Sequence, residues 1–187
     1  HGQGLKWLEI ELNGVEQHTG TTPMDVRKDA GLAMSLIISE INNIAINNLP
    51  NVVGSVGHIE VTPNSRNVIP GKTIFTVDLR SHILEKLTKM EKELEIFVKN
   101  LCDKMEIKFS IKQIAGFDPI TFDEHCVELV RNAAEKFGYS KRNIISGAGH
   151  DACAINSVVP SAMIMCPCVN GISHNEAEEI KKEWAFS

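Results

Sequence analysis

Two histidines near opposite ends of the chain stand in polar loops where an imidazole could do chemistry. His18 lies in Gln17-His18-Thr19-Gly20-Thr21-Thr22-Pro23-Met24, after a stretch that reads as a strand and before one that reads as a helix. An imidazole there can donate a hydrogen bond to an oxygen that is gaining negative charge, and the adjacent helix N-terminus adds positive potential. On spacing alone, a turn histidine that caps the helix accounts for the same residues. His174 lies in Gly171-Ile172-Ser173-His174-Asn175-Glu176, where a neutral imidazole nitrogen could ligate a metal ion. A single histidine does not make a metal site.

Other side chains suited to recognition fall between these loops. Asn67 and Arg80 bound the segment joining two predicted strands, and a guanidinium at a strand end can grip a carboxylate bidentately. A solvated arginine and an ordinary loop built from Asn64-Ser65-Arg66-Asn67 explain them equally well. In Ser146-Gly147-Ala148-Gly149-His150-Asp151-Ala152 the glycines precede a helix start, so a ligand can come close to backbone amides such as that of Gly149. The segment lacks the Lys-Ser/Thr ending of a phosphate loop and the G-x-S-x-G frame of a nucleophile elbow. His58, His82 and His125 sit on predicted regular elements without a partner pattern and read as structural or surface residues.

These loops need a scaffold, and the periodicity supplies one. Leu8, Ile10 and Leu12 alternate with polar residues over Leu5 to Asn13, the period of a half-buried strand. After Pro23, the segment from Asp25 to Asn48 carries Ala30, Ala33, Ile37, Ile41, Ile44 and Ala45 at helical spacing. A glycine-interrupted strand follows from Val53 to Val61, then another with Phe75, Val77 and Leu79 alternating inward. Leu87, Met90, Leu94, Phe97, Leu101 and Met105 predict a second amphipathic helix from about Ile83 to Met105, and Ile107, Phe109 and Ile111 a fourth strand.

Strand, helix, strand, strand, helix, strand is the order of a split βαβ, ferredoxin-like fold: an antiparallel sheet with two helices on one face. That unit is expected to close near Ala115, with Gly116-Phe117-Asp118-Pro119 as a junction. The remainder predicts a helix from Asp123 to Phe137, a short strand near Ile144, a short helix from Asp151 and an apolar strand from Ala162 to Cys166. Such short buried strands between helices suit part of an α/β sheet.

With 43% hydrophobic and 23% charged residues, the chain has the balance of a globular protein. The formal charge of −5 is spread along it, which argues against a nucleic-acid partner. No apolar run approaches the roughly 20 residues needed to span a bilayer, and the first residues lack a signal-peptide pattern. The five cysteines are odd in number, show no C-x-x-C pair and read as free thiols, which favours the cytoplasm. Cys166-Pro167-Cys168 has no second pair to complete a tetrahedral site.

Taken in order, His18-Thr19-Gly20-Thr21-Thr22-Pro23-Met24 with Arg27 and Asp29-Ala30, Asn64 to Pro70, Asp78-Leu79-Arg80, Ser146 to Ala152, and Gly171-Ile172-Ser173-His174 resemble the amidase, hydantoinase and carbamoylase branch of the M20 metallopeptidase superfamily. That branch includes N-carbamoyl-L-amino acid hydrolases, allantoate amidohydrolases and β-ureidopropionases. The resemblance implies a lid and dimerisation domain over residues 1–115 and the C-terminal part of an α/β metallohydrolase domain over 116–187. It implies two divalent metal ions in the complete enzyme, zinc or manganese, cobalt or nickel, with His174 the one ligand this chain supplies. The general base and the other ligands would lie in an upstream half, since the chain begins at His1 and stops after Ser187.

By the same resemblance His18 would stabilise the oxyanion, reaching the dimer mate's site or closing with the lid. Asn67 and Arg80 would hold the substrate carboxylate, and Gly149 would offer its backbone. The expected substrate is a small ureido or carbamoyl acid, turned over by a homodimer paired through the lid, with the portion alone inactive. An aminoacylase or peptidase of the same superfamily, and a non-catalytic ferredoxin-like interaction module, are the alternatives. Thr19 departs from the small residue that often follows the lid histidine in that branch.

Overall fold

A computed structural model describes residues 1–185; Phe186 and Ser187, the last two residues of the expected catalytic-domain portion, lie outside the described residues. The chain divides into two compact units, Gly2–Ile120 and His1 with Thr121–Ser187.

In the first unit, β1 (Gly4–Asn13), β3 (Val52–Thr62), β5 (Lys72–Ser81) and β6 (Lys108–Phe117) form an antiparallel sheet in the order β3-β5-β1-β6. β5 shows why its sequence makes a central strand. Thr73, Phe75, Val77, Leu79 and Ser81 are buried in strict alternation with half-exposed neighbours, so one face is apolar and the other wet. Two helices, α1 (Ala30–Asn47) and α2 (Leu84–Met105), cover the apolar face. Ile37 and Ile41 of α1 and Leu87, Met90 and Leu94 of α2 close over Leu8, Ile10, Leu12 and Phe75 in one core. A fully buried side chain of this size contributes about 1.5–3 kcal/mol, so this cluster dominates the unit's stability.

Local chemistry adjusts the predicted boundaries. α1 begins at Ala30 rather than Asp25, because the Asp29 carboxylate accepts the Leu32 N–H at 3.0 Å and caps the helix there. Met24–Val26 forms a separate 3₁₀ turn, and Arg27 returns to extended backbone. The buried stripe of α2 is Leu87, Met90, Leu94, Val98 and Cys102, one residue round from the predicted Phe97 and Leu101, which are only partly buried. A two-residue ladder between β2 (Gln17–His18) and β4 (Val68–Ile69) was not visible in the periodicity.

The second unit holds α3 (Glu124–Lys136), capped by the Asp123 carboxylate on the Cys126 N–H at 2.8 Å, then α4 (Asp151–Ile155) and α5 (Lys182–Ala185). The strands expected near Ile144 and from Ala162 to Cys166 do not form among the described residues. An isolated strand has no ladder to satisfy its N–H and C=O groups, and among the described residues this unit has no neighbouring strand. Here only Phe122, Ser146 and Cys153 are buried among the described residues, while Val158 and Ile164 are largely exposed. Among the described residues no helix is long and apolar enough to cross a membrane.

Candidate functional site

The His18 loop is closed by backbone contacts that its sequence makes possible. Val15 N–H donates to the Lys28 carbonyl at 2.9 Å, and Gly14 allows this approach, since a Cβ there would lie 2.0 Å from the same oxygen. His18 pairs with Val68, and Thr19 N–H donates to the Asn67 carbonyl at 2.9 Å, so the His18 and Asn67 backbones lie side by side. Ile69, paired with Gln17, is buried at 2% exposure. Arg27 then clamps the turn: its guanidinium donates to the carbonyls of Thr19 at 2.6 Å and Thr22 at 2.9 Å. Spacing gave no sign of this role, because a lone arginine before a helix has many uses.

These contacts decide the chemistry of the ring. Gly20 N–H donates to His18 Nδ1 at 3.0 Å. A backbone N–H can only donate, so Nδ1 is unprotonated and the neutral ring carries its proton on Nε2. His18 is therefore a pre-set Nε2–H donor on an exposed loop. Asn67 is exposed as well; its Oδ1 accepts the Ser65 hydroxyl at 3.0 Å, which leaves the Nδ2 amide as the group able to donate outward.

Arg80 is not part of that cluster. It lies at the far end of β5, eight residues beyond Lys72, which puts it roughly 26 Å along the strand at about 3.3 Å per residue. It stands on the sheet face opposite the helices, where Asp78 binds it through Nε–Oδ1 at 3.0 Å and Nη2–Oδ2 at 2.7 Å. The Asp78 hydrogen bonds hold the guanidinium above its ordinary pKa against the opposing effect of desolvation. Leu5 and Val53 flank it on the neighbouring strands, with the exposed Trp7 opposite Asp78.

In the second unit, Gly149 is exposed in the turn that leads into α4. Ser146 anchors this turn: it is 3% exposed, its N–H donates to the His1 carbonyl at 2.9 Å, and its hydroxyl lies 2.7 Å from His150 Nε2. His174 is exposed and has a left-handed backbone, φ 55°, which is uncommon for a residue with a side chain. Its N–H donates to the Glu178 carboxylate at 2.8 Å, and Val169 N–H closes the loop onto the Glu179 carbonyl at 2.7 Å. The Ser146 to Ala152 motif drew attention to its glycines, but the Ser146–His150 contact and the role of Glu178 gave no sign in the spacing, because these partners are fixed by loop geometry. Among the described residues no three His, Cys, Asp or Glu side chains gather as a metal site, so His174 fits a metal only as one ligand of several.

The chain is 54% identical over 185 residues to an N-carbamoyl-L-amino-acid amidohydrolase of Rhizobium meliloti, covering 99% of this chain and 44% of that protein. It is 36% identical over 175 residues to an allantoate amidohydrolase of Escherichia coli (strain K12), covering 94% of this chain and 43% of that one. A solved amidase of the hydantoinase/carbamoylase family from Burkholderia multivorans superposes with a TM-score of 0.91 at 44% identity, over 98% of this chain and 44% of its own. The chain thus spans less than half the length of the relatives it matches. With residues 9–186 matching its pattern, the chain belongs to peptidase family M20/M25/M40.

Proposed function

We propose that this chain is the lid and the last catalytic-domain section of a metal-dependent amidohydrolase that cleaves a C–N bond in an N-carbamoyl amino acid or a ureido acid such as allantoate. The observation that carries this reading is the 54% identity, along 99% of the chain, to a relative named for that activity. The strand order β3-β5-β1-β6 with both helices on one face supports a ferredoxin-like lid over the first unit. Five free cysteines suit a cytoplasmic enzyme.

Each residue has a role its geometry allows. The carbonyl of a ureido or carbamoyl group gains negative charge as water adds to its carbon, and the His18 Nε2–H is set to donate to that oxygen. Asn67 Nδ2 and the Arg80 guanidinium receive the substrate carboxylate, with Asp78 fixing the plane of the guanidinium. Gly149 offers backbone to the substrate without a side chain in the way. His174 would hold one coordination position of a divalent cation, and two such cations, zinc or manganese, cobalt or nickel, would supply Lewis-acid chemistry when bound.

Arg80 stands roughly 26 Å along β5 from Lys72, the end at which the chain arrives from β4, and this placement away from the His18–Asn67 pair supports a site shared between subunits. A homodimer paired through the lid brings one protomer's His18 and Asn67 to its partner's Arg80.

The test joins this chain to the upstream portion of the Rhizobium meliloti relative and loads the product with divalent metal. Ammonia release from an N-carbamoyl amino acid or allantoate is expected, abolished by chelation and by His174→Ala. Turnover of acyl-amino acids or peptides with neither ureido substrate consumed would replace this reading with the aminoacylase or peptidase one.

A further inference from the structure

Ser146 is a buried hydroxyl whose hydrogen bonds can be counted. Its oxygen accepts the Ala148 N–H at 3.2 Å, and its single proton has two possible acceptors, the Ala148 carbonyl at 3.1 Å and His150 Nε2 at 2.7 Å. With oxygen acceptors, hydroxyl donors form contacts of about 2.7–2.8 Å and N–H donors about 2.9–3.0 Å, so the 2.7 Å contact favours the O–H as donor to a bare ring nitrogen. His150 is otherwise fixed. Its carbonyl accepts the Cys153 N–H at 2.9 Å, its backbone is extended at φ −139°, ψ 153°, and its side chain takes no part in capping α4.

We propose that Ser146 is a positioning residue that locks His150 in one ring orientation and in the Nδ1–H tautomer. Resting on the reading that Gly149 borders the substrate, this makes His150 Nδ1 a fixed donor beside it, the mirror of His18, whose proton is held on Nε2. Ser146 acts through the ring and does not itself act as a nucleophile, since the residue is 3% exposed and its oxygen already accepts the Ala148 N–H.

The test uses the full chain labelled with ¹⁵N-histidine, with the His150 signals assigned by loss in His150→Gln. Long-range ¹H–¹⁵N spectra at neutral pH are expected to show a protonated Nδ1 and a bare Nε2. Ser146→Ala should lower the Nδ1–H to Nε2–H ratio by about two- to tenfold, the range an ordinary net hydrogen bond gives, and Ser146→Thr should restore it. An Nε2–H tautomer in the unaltered chain, or a ratio that Ser146→Ala does not move while far-UV circular dichroism is unchanged, overturns the proposal. If Ser146→Ala loses its fold, the spectrum of the unaltered chain alone decides. In the joined enzyme described above, Ser146→Ala should lower kcat/KM while Ser146→Thr retains it. An inactive joined enzyme with the expected tautomer would fault the functional reading and leave the tautomer lock standing.

Discussion

The two units solve the same problem, holding a histidine in a polar loop, with unlike means. His18 stands on a unit whose buried cluster runs from Leu8 to Ile107, and its loop is held by the β2–β4 ladder, the buried Ile69 and the Thr19–Asn67 backbone bond. His150 and His174 stand on a unit with three buried side chains among the described residues, and each is held by one nearby polar partner, Ser146 or Glu178. The first loop inherits rigidity from packing. The second depends on single hydrogen bonds, each worth about 0.5–1.5 kcal/mol net.

The largest expected effect comes from cutting the first unit's core. Phe75 is wholly buried on the central strand, and Phe75→Ala should cost about 3–5 kcal/mol through lost burial and the cavity left behind. Ile164→Ala in the second unit, at 73% exposure, should change stability by no more than about 0.5 kcal/mol. Cys102 reports the difference: it is buried on the inner face of α2, and desolvation, helped by Asp103, pushes its thiol up to about 11. Alkylation at pH 8 should leave Cys102 intact in the unaltered chain while Cys166 reacts, and should reach Cys102 in Phe75→Ala. A Phe75→Ala chain whose Cys102 stays as protected as before would break the claim that this core governs the unit.

The same contrast explains what the sequence disclosed. β5 and α2 were legible because each has one apolar and one polar face, and β1 and α1 because their apolar residues recur at strand and helix spacing; the buried stripes of all four meet within Gly2–Ile120. Ala162 to Cys166 is as apolar as a buried strand, yet a strand is defined by its neighbours, and none lies in its unit among the described residues. Site residues divide likewise. His18, Asn67 and His174 could be named from motif order, whereas the Gly20 bond that sets the His18 tautomer and the Arg27 clamp depend on a turn closed by contacts far apart in sequence. The pairing of His18 with Val68 and of Arg80 with Leu5 and Val53 follows from strand register, which no periodicity reveals.

A smaller effect sharpens the comparison at the loop itself. Gly14→Ala places a methyl 2.0 Å from the Lys28 carbonyl, so the chain must shift, at about 1–3 kcal/mol for an overpacked position. Because Val15 N–H bonds that carbonyl, faster hydrogen exchange is expected at Val15 and Thr19, with the amides of β5 unaltered. Equal loosening across β5 would mean that the loop and the core are one cooperative element.

The smallest effect concerns two helix caps of the same design. Asp29 caps α1 and Asp123 caps α3, each accepting the amide three residues on, at 3.0 and 2.8 Å. α1 lies on the core through Ile37 and Ile41, while α3 is 13 residues long with no buried residue, a length at which an unsupported helix is marginal. The Cys126 N–H holds the Asp123 carboxyl below its ordinary pKa. A lowered folded-state value means that the cap's contribution is complete above the unfolded carboxylate pKa of about 3.9 and is lost as pH falls through the folded value. Amide exchange or ¹³C shifts across Glu124–Lys136 should therefore show α3 fraying in acid before α1 does. Asp123→Asn keeps a neutral acceptor and should remove that pH dependence, whereas Asp29→Asn should leave α1 helical throughout, because packing rather than the cap decides its state. If α1 frays in step with α3, the core under α1 is contributing less to its helix than its burial implies.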